Sequence, residues 1–333
     1  MHVDRGHKFA CWYLSRAWVH DDVPAKLDLA DGFRVERSLH VEMQPHWWEW
    51  LGSLAMDELR ENGLAFYVTT PSVRPEILDD ENEVLKARCN DLLNALFVQE
   101  VPSFTNAILL SGARIGDEIS VRNVSRIRET APTHGLEQSP ITIEQLRRAE
   151  LIAGRFFKMQ SRKPGAPWER LLRCTRVLLN ANRTRNDHGE RFHQFVRMLD
   201  GITKTRPGSG ASDFTHRVQT FAVANEETRQ TLIEMYTVRS AVEHVNAPHE
   251  AVNEAATPAT QSDKERQAAR LQRVDRLTRQ ADALARFALV RILNSETLFT
   301  LFSTEAEIDR FWALRNDERQ NLWGSRLDIR AVA

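Results

Sequence analysis

From Thr142 onward the chain reads as one helix after another, and this property limits what its second part can become. Thr142-Ile-Glu-Gln145 has the order of a capping box, in which a hydroxyl and an amide reciprocally satisfy the first free backbone donors. The helix it opens is expected to run to about Gln160. Pro164 to Pro167 breaks the pattern, and Pro167 or Trp168 opens another helix to about Asn180. Pro207, Gly208 and Gly210 make a loop of Thr205 to Ser212. A longer polar loop spans 246–262 and carries Pro248 and Pro258. The last long helix covers about Asp263 to Asn294, with a short one near Thr304 to Leu314. An all-α domain is the expected outcome.

The chain before about residue 135 reads differently. Phe9 to Val19 is aromatic and β-branched enough for a strand, and Leu64 to Thr70 is a better one, ended by Pro71. Between them, Pro45 to Asn62 reads as one helix stopped by Gly63. Glu81 to Gln99 is an amphipathic helix with Val84, Leu85, Cys89, Leu92, Leu93 and Leu96 on one face. Ala107–Gly112 and Glu118–Arg122 look like short strands joined through Gly112 and Gly116. These glycines are turn-makers and form no phosphate-binding loop. Turn formers concentrate in Thr130–Gly135 and Gln138–Pro140, which marks a boundary. The expected organisation is an α+β domain over 1–135 and an all-α helical domain over 140–320, predominantly α overall.

Composition removes several function classes. A chain of 333 residues suggests two domains. Its formal net charge of -1 leaves no global basic field, so nucleic acid cannot be coated by charge alone. RNA binding would need a local patch. Arginines cluster at Arg147-Arg148, Arg170 to Arg176 and Arg266 to Arg279, although solvated helix faces with acidic partners are the plainer explanation of such runs. Cys11, Cys89 and Cys174 lie too far apart for a metal motif or a disulfide framework, so buried free thiols are expected. No segment is a long uncharged apolar run, and the N-terminus lacks an apolar signal core. A cytoplasmic location, no membrane partner and no cofactor are expected.

Histidine spacing gives no metal site either. His188 and His193 are five apart around Glu190, as are His244 and His249. Neither pair has the His-xxx-His spacing of a helical metal site. His46 sits with Trp47, Trp48 and Trp50. Such a cluster can stack nucleobases, but in a chain with eight tryptophans it more often belongs to a core or a domain interface.

One stretch points to chemistry: Glu234-Met-Tyr-Thr-Val-Arg-Ser-Ala-Val-Glu-His244. It reads as a helix carrying Arg239 and, after four intervening residues, His244. A guanidinium offers a permanent charge and a fork of donors matched to phosphate. An imidazole moves protons near neutral pH. Together they suit metal-free phosphodiester cleavage, in which a ribose 2′-OH attacks the adjacent phosphate. A second match, Arg183 to His188, lies in a polar stretch and is expected by chance among eleven histidines. A five-residue offset separates two side chains by about 140° around a helix. Either the helix frays near His244, or two copies face each other across a dimer. The plainer alternative pairs Arg239 with Glu243 at the i,i+4 spacing and uses His244 as a C-terminal cap.

Tyr236-Thr-Val-Arg-Ser-Ala-Val-Glu-His244 resembles the Arg-Ser-xxx-His helix end of HEPN domains, most closely the Apea-like HEPN group. Arg191 to Gly201 is similar to the helix those domains carry before the motif, Asp213 to Phe221 to their next helix, and Ala283 to Leu293 to their closing helix. The resemblance covers about residues 145–315. It implies an all-α, often dimeric domain that acts as a metal-independent endoribonuclease in toxin or phage-defence systems. It also implies catalytic roles for Arg239 and His244, supported by Glu243 and Ser240, an RNA substrate and a homodimer through the helical domain. The N-terminal domain would sense a trigger or bind a regulatory partner. Members without activity serve as binding or assembly modules, which is the alternative function. The branch modified by a nucleotidyltransferase carries a Tyr two residues after the His, where this chain has Asn246.

Overall fold

A computed structural model describes residues 1–38, 43–127, 139–160, 163, 165–183, 188–206, 208–243, 252 and 263–332. The chain is predominantly helical with one antiparallel sheet. It divides into two compact units, residues 1–132 with 137–157, and residues 133–136 with 158–333.

The first unit is organised by β1 (His7–Ser15), the central strand of a six-stranded sheet. The others are β2 (Lys26–Asp28), β3 (Phe33–Glu36), β4 (Gly63–Pro71), β5 (Asn106–Ile115) and β6 (Glu118–Ile127), in the order β2-β3-β4-β1-β5-β6. Every pairing is antiparallel. Every residue of β1 after His7 is buried, because both faces of the sheet are covered there. Phe9, Cys11 and Tyr13 join an apolar layer with Met56, Leu59, Tyr67 and Ile108. The alternate residues meet α3 (Asp80–Gln99): Cys89 Sγ donates to the Ala10 carbonyl at 3.2 Å, and Trp12 Nε1 donates to Asn90 at 2.9 Å. On the same side, the buried Lys8 ammonium meets Asp79 at 2.7 Å and Glu81 at 2.9 Å.

Several sequence expectations change here. The helix over 45–62 is two helices, α1 (Pro45–Leu51) and α2 (Ser53–Arg60). Gly52 between them has φ +78°, a left-handed conformation that no L-residue helix accommodates. Gly112 is no turn. It sits inside β5 where the pairing with β6 shifts register, and a Cβ there would collide with the Ser120 carbonyl oxygen. Val84 is exposed, since it lies roughly 120° around α3 from the stripe of Leu85, Cys89, Leu92 and Leu96. The tryptophan cluster splits: Trp47 packs on the apolar layer and donates to the Val121 carbonyl at 2.9 Å, while Trp50 is 65% exposed. Strands β2 and β3 are too short to show alternation.

Helix α4 (Ile143–Met159) opens with the expected capping box. Gln145 N donates to Thr142 Oγ1 at 3.2 Å, and Thr142 N donates to Gln145 Oε1 at 2.8 Å. Its residues to Phe157 belong to the first unit rather than to the helical one. Gln99 donates to the Gln145 carbonyl at 3.0 Å, and Asp31 N donates to Glu150 at 2.7 Å. Most of the turn-rich stretch at 130–143 lies outside the described residues.

The second unit contains α5 (Glu169–Arg183), α6 (His188–Thr203), α7 (Gly210–Val218), α8 (Glu226–Glu243), α9 (Asp263–Asn294), α10 (Glu296–Leu301), α11 (Glu305–Ala313) and α12 (Asn316–Trp323), then a 3-10 turn at Ile329–Ala331. Helix α9 has the expected bounds, and α10 and α12 are additional to the sequence expectation. Helix α6 packs against α5, α7, α8 and α9, and buries Phe192, Phe195, Val196 and Leu199. Its C-terminal carbonyls are satisfied by Arg217, which donates to Thr203 O at 2.7 Å and Lys204 O at 2.6 Å. Among the described residues, no helix is long and apolar enough to cross a membrane.

The turn from α6 to α7 is closed by Arg206 and Asp213. The Arg206 guanidinium donates twice, at 2.7 and 2.8 Å, and its backbone N–H donates at 3.0 Å. The Arg206 hydrogen bonds hold the Asp213 carboxyl at about 2. A carboxyl whose pKa falls on folding stabilises the native state above its unfolded value of about 3.9, and that contribution is lost as pH falls through the folded value. Asp213→Asn is therefore expected to lower stability at neutral pH. In urea unfolding series, its deficit against wild type should shrink as the pH is taken from about 4 towards 2.

Candidate functional site

Helix α8 is anchored at its start by Asn225, whose side chain accepts from Thr228 N at 2.8 Å. It buries Leu232, Met235 and Val238. This orientation leaves Arg239 on the flank of the buried stripe, with its side chain 14% exposed. One terminal nitrogen of Arg239 meets Glu243 at 2.8 Å, one turn along the helix, and Asp200 of α6 at 3.5 Å. The guanidinium also lies over the Tyr236 ring at 5.4 Å. Its Nε–H is buried and finds no acceptor among the described residues.

Glu243 is the last residue of α8 and connects two groups. Besides Arg239, its Oε1 lies 3.3 Å from His193 Nε2 on α6. The other ring nitrogen of His193 is 3.9 Å from Glu190. Arg239, Glu243, His193 and Glu190 thus form a continuous string of polar side chains across α8 and α6. Asp200 is fixed at the other end by Thr205, whose hydroxyl donates to it at 2.6 Å. On α6, His193, Arg197 and Asp200 recur at four- and three-residue steps and so share one face.

That face borders a cleft of about 470 Å³. Its wall is rich in cations: Arg170 and Arg173 from α5, Arg197 from α6, Lys204 just beyond α6, and Arg239 from α8. The two helices approach closely because Gly201 has no side chain; a Cβ there would lie 2.6 Å from Cys174 Sγ. Burial pushes the Cys174 thiol up to about 12, so this sulfur is a neutral packing group and no nucleophile at physiological pH. Glu305 holds Arg170 at 2.7 Å and Lys204 at 2.9 Å, and its carboxyl is held below the usual range first by the Arg170 hydrogen bond.

The residues expected from sequence are placed unevenly. Arg239 and Glu243 come together, in the i,i+4 ion pair that the plainer alternative required. Ser240 is half-buried on the same helix and adds no hydrogen bond to the string. His244 lies outside the described residues, as do His249 and the side chains of Arg183 and His188. His193, weighed in sequence only as a metal ligand, is the imidazole that reaches the motif helix. Its partner is 50 positions away, so no local spacing could have revealed it. Among the described residues, no group of His, Cys, Asp and Glu is arranged to hold a metal ion. Compared with known protein-family models, with curated proteins and with solved structures, the chain matches none.

The Arg239–Glu243 pair is partly shielded and shared with Asp200, so its coupling should be small but measurable. A double-mutant cycle of Arg239→Ala and Glu243→Ala in urea unfolding is expected to give about 0.5 to 1 kcal/mol. A value near zero would show that the pair adds nothing to the fold.

Proposed function

We propose that the helical unit is a metal-independent endoribonuclease of the HEPN type, with Arg239 as its phosphate-facing cation. The observation that carries this reading is the placement of Arg239 on the wall of a cation-rich cleft, with a buried donor that finds no acceptor among the described residues. The resemblance of Tyr236–His244 and its flanking helices to HEPN domains supports the same assignment.

In the proposed reaction, a base removes the proton of a ribose 2′-OH, and the resulting oxygen attacks the adjacent phosphorus. The bond from phosphorus to the 5′ oxygen breaks, and an acid returns a proton to that oxygen. The products carry a 2′,3′-cyclic phosphate and a 5′-hydroxyl. His244 is the proposed base or acid, a role worth about two to four decades in rate. Arg239 stabilises the charge that builds on the non-bridging oxygens. Glu243 orients an imidazole, and Ser240 sits beside the reacting groups. Because Arg239 and His244 are five residues apart, the reading includes a homodimer in which facing motif helices supply one residue each. The sheet-bearing unit would sense a trigger or hold a regulatory partner in a toxin or phage-defence system. DNA lacks the nucleophile and is not a substrate.

A second reading is a catalytically silent HEPN-like module that binds or assembles. It is favoured by the in-chain engagement of Arg239, whose terminal nitrogen already meets two carboxylates.

Arg239→Ala is expected to reduce RNA cleavage about 10²- to 10³-fold, and His244→Ala by about 10² or more, with circular dichroism unchanged. Cleavage should persist in excess EDTA, and light scattering should report a dimer. Wild-type rates in the His244→Ala protein would sink the catalytic assignment, and an absence of cleavage in wild type would leave the silent module.

A further inference from the structure

Among the cations of the cleft wall, most are already committed. Arg170 makes a two-pronged contact with Glu305 at 2.7 and 3.0 Å. Lys204 sits between Glu305 at 2.9 Å and Asp309 at 2.6 Å. Arg239 is shared by Glu243 and Asp200. Arg173 pairs with Glu169 along its own helix, with its side chain 73% exposed, where such a pair is worth little and is readily exchanged. Arg197 differs from all of these. It is exposed on the same face of α6 as Asp200 and has no carboxylate or hydrogen-bond partner among the described residues.

We infer that Arg197, with Arg173 on the same cleft wall, forms a phosphate-binding subsite. The inference rests on the reading of Arg239 as phosphate-facing and extends it to a second, neighbouring phosphate. Three helices line the cleft: α5 supplies Arg173 and α6 supplies Arg197 for the subsite, and α8 supplies Arg239. A guanidinium fork matches two oxygens of a phosphate, and such bidentate contacts are among the stronger polar interactions available to a protein. A volume of about 470 Å³ is enough for a nucleotide-sized group. Overall the chain has no excess of positive charge, so the attraction is local. An anion entering here replaces the Glu169 carboxylate at Arg173 and meets Arg197 without displacing anything. Arg197 therefore acts as the positioning residue that fixes where the chain of phosphates lies relative to Arg239.

The ligand chemistry is a phosphate oxyanion, carried either on a polynucleotide backbone or on a nucleotide terminus. The test is fluorescence anisotropy with the full-length protein and a single-stranded 2′-O-methyl oligonucleotide, which presents phosphodiesters but cannot be cut. Adenosine 5′-monophosphate and inorganic phosphate serve as competitors. Wild type is expected to bind with an affinity that falls as salt rises, and Arg197→Glu should weaken binding about tenfold or more. Arg176→Glu, an exposed α5 arginine outside the cleft, should change it less than about twofold. Competition by the mononucleotide assigns the subsite to a terminal phosphate, and its failure to compete assigns it to the backbone. Wild-type affinity in Arg197→Glu, or equal weakening by Arg176→Glu, overturns the inference. Unmodified RNA separates the two proposals. Arg197-dependent binding without cleavage removes the catalytic reading and leaves the subsite. Cleavage that is indifferent to Arg197→Glu keeps catalysis and removes the subsite.

Discussion

Helix α6 has to satisfy two demands at once, and the helical unit follows from how it does so. Phe192, Phe195, Val196 and Leu199 are fully buried against neighbouring helices, which commits one side of the helix to the core. The 3.6-residue period then forces His193, Arg197 and Asp200 onto another side. Burying several large apolar side chains is worth roughly 1.5 to 3 kcal/mol each, so the core fixes the helix rotation and the polar row has no freedom of its own. The candidate site is, in this sense, the residue of a packing solution: the charged groups stand where the apolar ones leave them. Arg217 closes the end of α6 by satisfying the Thr203 and Lys204 carbonyls.

The same logic explains why Arg239 sits among carboxylates. A half-buried guanidinium on the flank of a buried stripe needs acceptors, and Glu243 and Asp200 are the ones in reach. Their presence does not disqualify it from meeting an anion. Any anion that reached Arg239 would compete with contacts at 2.8 and 3.5 Å rather than with water alone. Glu243 adds a further link, since the carboxylate that steadies the arginine also touches His193.

How much of this was legible in the sequence depends on the range of each interaction. The capping box of Thr142 and Gln145 and the full length of α9 are encoded within a few residues, and both read correctly. The expected α4 placement failed because its partners, Gln99 and Asp31, are distant in the chain. The break at Gly52 was hidden inside a run of good helix-compatible residues, and Gly112 carried the same letter as a turn glycine while serving a bulge. Arg239 and Glu243 were visible because helical spacing brings them together. His193 was not, because only the packing of α6 on α8 does. The segment Tyr236–His244, singled out in sequence, contributes Arg239 to the charged cleft, while the family and the activity that its resemblance implies stand as a proposal.

Lys8 in β1 has a consequence for how the sheet finds its pairing. Along this strand the side chains alternate between an aromatic layer and the side occupied by Asp79, Glu81 and α3. A slip of one residue against either neighbour would exchange the two sets. The apolar side chains of β1 would tolerate such a swap with modest loss, since both sides are covered. The ammonium would not: it would leave its two carboxylates and enter the layer of Met56 and Tyr67, at a cost of several kcal/mol for an unpaired buried ion. One lysine thus acts as a proofreader of alignment for the strand on which the rest of the sheet is built.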